Sequence, residues 1–246
     1  MTRKVARATP SGPAFYARTG TLRGDLLTLL HPPYTAWHLS YVIYGAALAP
    51  EFHWLRVAGT LAAFFFGTGV AAHALDEWHD RPIGTQLSDH ALLALAAGGI
   101  AGAGLVTVLG AFMLSPWTLV WAAVGVLLMM GYTLEWNRLV HSDLGFALAW
   151  GGFPVLVGYW AQTERLAVAP VLVAIAATLL SLAQRALSTP ARYVRRKAPG
   201  ASVVFPGSDR SEDWTRERLL ATWELPLKLV AAAAVMLAAG LLAMRA

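Results

Sequence analysis

The stretch "ALLALAAGGIAGAGLVTVLGAF", residues 91–112, runs for 22 residues without one ionisable side chain. A bilayer core takes roughly 20 predominantly apolar residues of helix, and lipid offers no partner to an unpaired backbone group, so coil and open strand are excluded there. This stretch reads as a transmembrane helix. Its neighbours follow suit: apolar runs at 33–50, 55–75, 116–134, 144–161, 166–184 and 225–243 bring the expected number of spans to about seven. Nothing between them alternates as a strand does. The predicted fold class is all-α, a polytopic membrane helical bundle.

Composition agrees with that reading. Of 246 residues, 57% are hydrophobic and 13% charged, and mean hydropathy is +0.53, whereas soluble domains carry about 25% charged residues. The chain has no cysteine, which removes disulfides, thiolate nucleophiles, zinc–thiolate sites and iron–sulfur clusters. No glycine-rich phosphate loop follows a strand, so nucleotide binding has no support. The small-residue runs at 96–104 and 149–153 are explained by close helix packing. Trp37, Trp54, Trp117, Trp136, Trp160 and Trp223 fall near span ends, as interfacial aromatics do.

Positive charge sets the topology. Fifteen of the 19 Lys and Arg residues lie before the first span, at Arg81, at Arg138, or between Arg185 and Arg218, which makes the N-terminus and the loops after the second, fourth and sixth spans cytoplasmic. The C-terminus is then outside. A net charge of +5 is accounted for by topology and anionic lipid rather than by nucleic acid. No apolar run precedes Leu26 in the basic start, so a retained span is expected in place of a cleaved signal peptide. Four parts result: a basic cytoplasmic segment 1–30, a six-span core 31–184, a basic cytoplasmic loop 185–224 and a last span 225–246. Within the loop, "SEDWTRERLLATWEL" from 211 reads as a surface helix capped by Ser211 or Asp213. The expected location is an integral one in the plasma membrane.

The cytoplasmic loops also hold the chemistry. "HALDEWHD", residues 73–80, follows the second span; "EWNRLVHSD", 135–143, follows the fourth; "QRALSTPARYVRRK", 184–197, closes the sixth. If the second span continues as a helix, His73, Asp76 and Asp80 share a face. Carboxylates so spaced suit Mg²⁺, which takes one or two of them and bridges to substrate phosphates. The plain alternative is a wet loop at a membrane surface. His73, Asp76, Glu77 and His79 with Glu135, His141 and Asp143 also have the composition of a non-haem metal site, but lack the paired Glu-x-x-His spacing of helical di-metal centres.

"HPPYTAWHLSYVIYGAALA" (31–49), the span ending in "HALDEWHD", "RPIGTQLSDHALLALAAGG" (81–99) and "GYTLEWNRLVHSDLGFALAWGGFPVLVGYWAQT" (131–163) resemble, in this order, the UbiA superfamily of intramembrane prenyltransferases. The similar stretches cover roughly residues 26–184. The resemblance implies an isoprenyl diphosphate held through Mg²⁺ and a prenyl group passed to a lipophilic acceptor. By position, Ala72 and His73 stand where the family's first motif has Asn-Asp, and Asp76 and Asp80 take the remaining acidic places. Arg138 matches the arginine of a later Lys-Arg pair, with Asn137 in the lysine's place. Asp76 and Asp80 are then the expected metal ligands, Arg138 the diphosphate clamp and His73 a further ligand or proton acceptor.

The chain also departs from the family. The loop before Arg81-Pro82 is shorter, one span follows the sixth where the family has three, and the end of the sixth span carries no second Asp-rich motif. Arg185 and Arg192, with Arg195, Arg196 and Lys197, are placed to neutralise a diphosphate instead, since guanidinium forks bind phosphate oxygens bidentately; a juxtamembrane basic patch is the plain account of the same residues. The non-enzyme alternative is an isoprenoid-lipid-binding or accessory membrane protein on the same scaffold.

Overall fold

The structure, a computed structural model, describes residues 12–18, 20–205 and 213–246. After a short helix α1 (Leu22–Leu29) come seven longer ones: α2 (Pro32–Ala47), α3 (Trp54–Asp80), α4 (Asp89–Met113), α5 (Trp117–Thr133), α6 (Asp143–Thr163), α7 (Val168–Lys197) and α8 (Arg216–Ala243). Two of them contain a π-helical segment, Phe65–Ala72 in α3 and Leu148–Gly152 in α6. Among the described residues no strand forms; a single bridge between Val203 and Trp214 closes the α7–α8 loop.

Five helices, α3, α4, α6, α7 and α8, are long and apolar enough to cross a bilayer, and α5 is a shorter apolar helix of 17 residues. Their outward faces carry Phe112, Val168, Leu172, Leu229 and Met236, each more than half exposed. So large an apolar surface would not persist in water, and the protein is an integral membrane protein. The helices run up and down in sequence, so that the start of α2, the ends of α3, α5 and α7, and the starts of α4, α6 and α8 meet at one end, called here the polar end.

Helix α2 occupies the middle. His31 caps it in the left-handed region at φ 45°, and Pro32 and Pro33 fill the first turn, where a missing N–H costs nothing. Parallel to it lie α6, with Phe146 beside His38 and the Gln162 side chain accepting from the His53 N–H, and α8, where the Tyr44 hydroxyl donates to the Ala234 carbonyl at 2.8 Å. α2 and α6 cross in backbone contact: a Cβ at Gly45 would lie 1.9 Å from the Val155 oxygen, and one at Gly158 2.2 Å from the Val42 oxygen. Antiparallel α7 completes the enclosure through Ser181, whose hydroxyl donates to the Tyr41 hydroxyl. Trp37, Tyr41 and Val42 are consequently at most 1% exposed.

Several expectations change here. Trp37 and Trp160 are core residues rather than interfacial ones; Trp37 donates to Tyr41, while Trp54, Trp117 and Trp136 are half-exposed or more, as expected. The basic stretch from 185 does not begin a loop, because α7 stays helical to Lys197. The surface helix expected from 211 is the first part of α8 itself, capped by Thr215 in place of Asp213, while Ser211 lies outside the described residues. Glycines of the two small-residue runs divide. Gly99, Gly151 and Gly152 abut the neighbouring helix as expected, but Gly98 and Gly104 face open space.

Candidate functional site

The polar end is built by carboxylates that bind backbone. Glu77, fully buried, accepts from the Ile83 N–H at 2.9 Å and from the Thr85 N–H and hydroxyl at 2.7 and 2.9 Å. Asp25 on α1, 2% exposed, accepts from Gly20 and Gln86. Arg81 ends α3 at φ 51°, donates to the Leu87 carbonyl at 2.6 Å and pairs with Asp89. The Arg-Pro-Ile-Gly-Thr turn is thus wrapped around Glu77, and α3 is held helical through Asp80. Asp25 has no place in the sequence reading, and Glu77 entered it only among the non-haem metal candidates; an acid seven residues before a Gly-Thr turn was the available signal for Glu77.

On this scaffold Asp76 and Asp80 lie one turn apart, both exposed, while His73 turns inward. Its Nδ1 contacts the Gly69 carbonyl at 3.1 Å and its ring stacks on His31, centroids 4.3 Å apart. His31 bonds the Tyr16 hydroxyl at 2.5 Å through Nδ1. Burial first, and the neighbouring His73 second, hold His31 well below the ordinary 6.5, so it is neutral; burial raises the Tyr16 hydroxyl well above its usual range. Residues 12–18 cross the polar end above these rings. They are tied down by Arg195 to the Gly12 carbonyl, Arg196 to the Pro13 carbonyl and Lys228 over the Phe15 ring.

Arg192 faces Asp76 from α7. The two are within electrostatic reach but share no ion pair, and Arg192 makes no hydrogen bond with any described residue. Around it stand Tyr16, Tyr34 and Tyr132, with Arg196 a turn farther along α7. A half-buried guanidinium with no direct ion pair among the described residues costs free energy that a bound anion would recover. Arg185 is engaged otherwise: it donates to Asp143 at 2.8 Å and lies 5.3 Å over the Phe146 ring. Arg195 forms a bidentate pair with Glu224, both nearly buried, and ties α7 to α8.

One turn deeper than Tyr34, His38 and Gln184 approach each other, yet neither His38 nitrogen nor the Gln184 Oε1 completes a hydrogen bond of normal geometry. Both residues are 95% buried or more. Phe146 meets His38 edge-on and stacks on Trp150 at 5.3 Å, with Tyr132 against both rings. From the polar end inward, charged groups and tyrosines give way to His38 and Gln184 beside Phe146, and then to Trp150.

The structure brings together Asp76, Arg192, His73 and, at the edge, Asp80 and Arg185. It leaves Arg138 and Asn137 apart. Arg138 is exposed on the α5–α6 loop, and the Asn137 side chain accepts from the Leu139 and Val140 N–H groups, fixing that loop's turn. His141 pairs with Glu135 and stacks on Tyr132 in the same loop. Among the described residues no three His, Asp or Glu side chains are grouped to hold a metal on their own. Two carboxylates one turn apart do match the sparse protein contribution to a phosphate-bridged Mg²⁺. No family model, no curated protein and no solved structure matches the chain.

Proposed function

We propose that this protein is a seven-span, UbiA-like membrane prenyltransferase that binds an isoprenyl diphosphate at the polar end, facing the cytoplasm, and passes the prenyl group to a lipophilic acceptor. The observation that carries the reading is Arg192, which makes no ion pair or hydrogen bond with any described residue and lies within electrostatic reach of Asp76, Tyr16, Tyr34 and Tyr132. Arg192 and Arg196 bind the diphosphate oxygens in place of a second acidic motif, with the Tyr34 and Tyr132 hydroxyls as further donors. Asp76 and Asp80 would hold Mg²⁺, which when bound neutralises diphosphate charge.

The reaction breaks the bond between the allylic carbon and the diphosphate oxygen, and the electron pair leaves with diphosphate. Stabilising that leaving charge is the work of the guanidinium groups. The allylic cation is met by the faces of Tyr132, Phe146 and Trp150, as cations are by aromatic rings. The acceptor's nucleophilic atom then bonds to the allylic carbon and gives its proton to the departing diphosphate, with the Gln184 Oε1 orienting the acceptor by accepting a hydrogen bond.

Calorimetric titration of the detergent-purified protein with farnesyl and geranylgeranyl diphosphate, in Mg²⁺ and then in EDTA, tests the reading. Mg²⁺-strengthened binding, lost in the Asp76→Ala/Asp80→Ala double variant and in Arg192→Gln, is expected. Absence of binding by the wild-type protein in both buffers overturns it.

A further inference from the structure

Between α3, α4, α5 and α6 lies a cavity of about 770 Å³, within the range of about 300–1,000 Å³ that buries a ligand of moderate size. The polar-end reaction makes no use of it. Its wall is apolar, from Gly59, Ala63 and Phe64 on α3 across to Trp121 and Phe153. The ionisable side chains on that wall are His53 and Arg56, both at the start of α3 and so at the end remote from Arg192. At the other end it stops at Thr68, Met129 and Trp150. The Trp150 ring separates it from the polar end, since it is stacked on Phe146, which is the ring that touches Arg185 and His38. The cavity is blind toward the polar end and polar at its opposite mouth.

The mouth offers hydrogen-bond donors. Behind His53, Gln162 is 4% exposed; its Oε1 accepts from the His53 N–H at 2.7 Å, but its Nε2 has no partner among the described residues. The Thr118 hydroxyl, on the cavity wall, is also buried and unpaired. Arg56 spends Nη1 on the Ala161 and Gln162 carbonyls and lies 3.6 Å from Glu164. Space in the interior is kept open by glycine: a Cβ at Gly59 would meet only Val106 at 3.9 Å, and one at Gly104 nothing within 4 Å. Donors at the mouth and a blind apolar interior fit an amphiphile whose head carries acceptors.

We propose that this cavity binds one acyl chain of a phospholipid drawn from the leaflet opposite the polar end, its phosphate and ester oxygens held by His53 and Arg56 at the mouth, with the Thr118 hydroxyl on the wall and the Gln162 amide behind His53 as further donors. This site is separate from the proposed diphosphate site and does not depend on it. The delipidated protein, kept in detergent, is titrated with dibromostearoyl phosphatidylglycerol while tryptophan fluorescence is followed, because Trp121, Trp150 and Trp160 line the wall. Saturable quenching by one lipid per protein is expected. Gly59→Leu/Gly104→Leu fills the interior with better helix formers and should weaken binding at least tenfold with unfolding temperature maintained. Gln162→Glu keeps the acceptor for His53 but replaces the free donors, and should weaken binding similarly. Quenching that fails to saturate, or that both variants reproduce, overturns the proposal. So does displacement by farnesyl diphosphate, which would make the cavity the chain pocket of the polar-end ligand.

Discussion

Replacing Glu77 tests how the polar end is built. Its two oxygens satisfy three donors in a site closed to solvent. Hydrogen bonds to a charged acceptor contribute about 1.5–3 kcal/mol each, and a buried donor left unpaired costs about 1–3 kcal/mol. In Glu77→Gln one oxygen remains to serve Thr85, while the new amide nitrogen meets the Ile83 N–H donor to donor. The loss is one bond, about 1–3 kcal/mol, or roughly five- to 150-fold in the local opening equilibrium. Glu77→Ala abandons all three donors and should open the whole 81–88 turn. Hydrogen-exchange mass spectrometry in detergent reads this directly: peptides covering 81–88 should exchange faster by that factor in the Gln variant and more in the Ala variant, with α4 unchanged from its second turn onward. Unaltered protection of 81–88 in Glu77→Ala would refute the assignment. So would uniform acceleration along the chain, which would make Glu77 a global rather than a local tie.

Three other outcomes are expected. Gly45→Ala must push α2 and α6 apart, because its Cβ would stand 1.9 Å from the Val155 oxygen; overpacking of about 1–3 kcal/mol or more exceeds the helix-propensity gain of about 1 kcal/mol, so the unfolding temperature in detergent should fall, and a rise would contradict the crossing. His31 is held neutral below the ordinary 6.5, so the unfolded chain binds the extra proton; stability present above about pH 6.5 should be lost as pH falls below it, and His31→Asn should flatten that slope in thermal scans from pH 7.5 down to 5 (about 1.4 kcal/mol per pH unit at most). Finally, Arg192→Gln should weaken farnesyl diphosphate binding at least tenfold and Arg138→Gln by less than threefold; the reverse order in calorimetry would return the clamp to the α5–α6 loop.

The order and direction of the helices were legible because lipid imposes one pattern on every span, and runs such as 91–112 carry it without interruption. Depth was not. Hydropathy records a helix's own composition, so α2, with two prolines and His38, looks the weakest span although it is the best enclosed; neighbours, not its sequence, shield it from lipid. The same blindness put Trp37 and Trp160 at the interface. Within the site, Asp76 and Glu77 differ by one position and therefore by about 100° around the helix, which sends one side chain toward Arg192 and the other into the Thr85 turn. Spacing placed Asp76 and Asp80 together correctly. That Arg192 and not Arg138 comes within reach of Asp76 depends on how α7 packs against α2 and α6, a relation no local motif encodes.

The enclosure of α2 has a consequence for biosynthesis. The helix leaves the ribosome well before the partners that cover it, Val155 on α6, Ser181 on α7 and Ala234 on α8. At about 5–20 residues per second, Tyr44 waits about 10–40 s before Ala234 is synthesised. During that interval the faces of Trp37, Tyr41 and Tyr44 must be kept by lipid or by the insertion machinery. A nascent chain stopped before α8 would leave its central helix uncovered, so quality control should recognise C-terminal truncation at α2, close to the opposite end of the sequence.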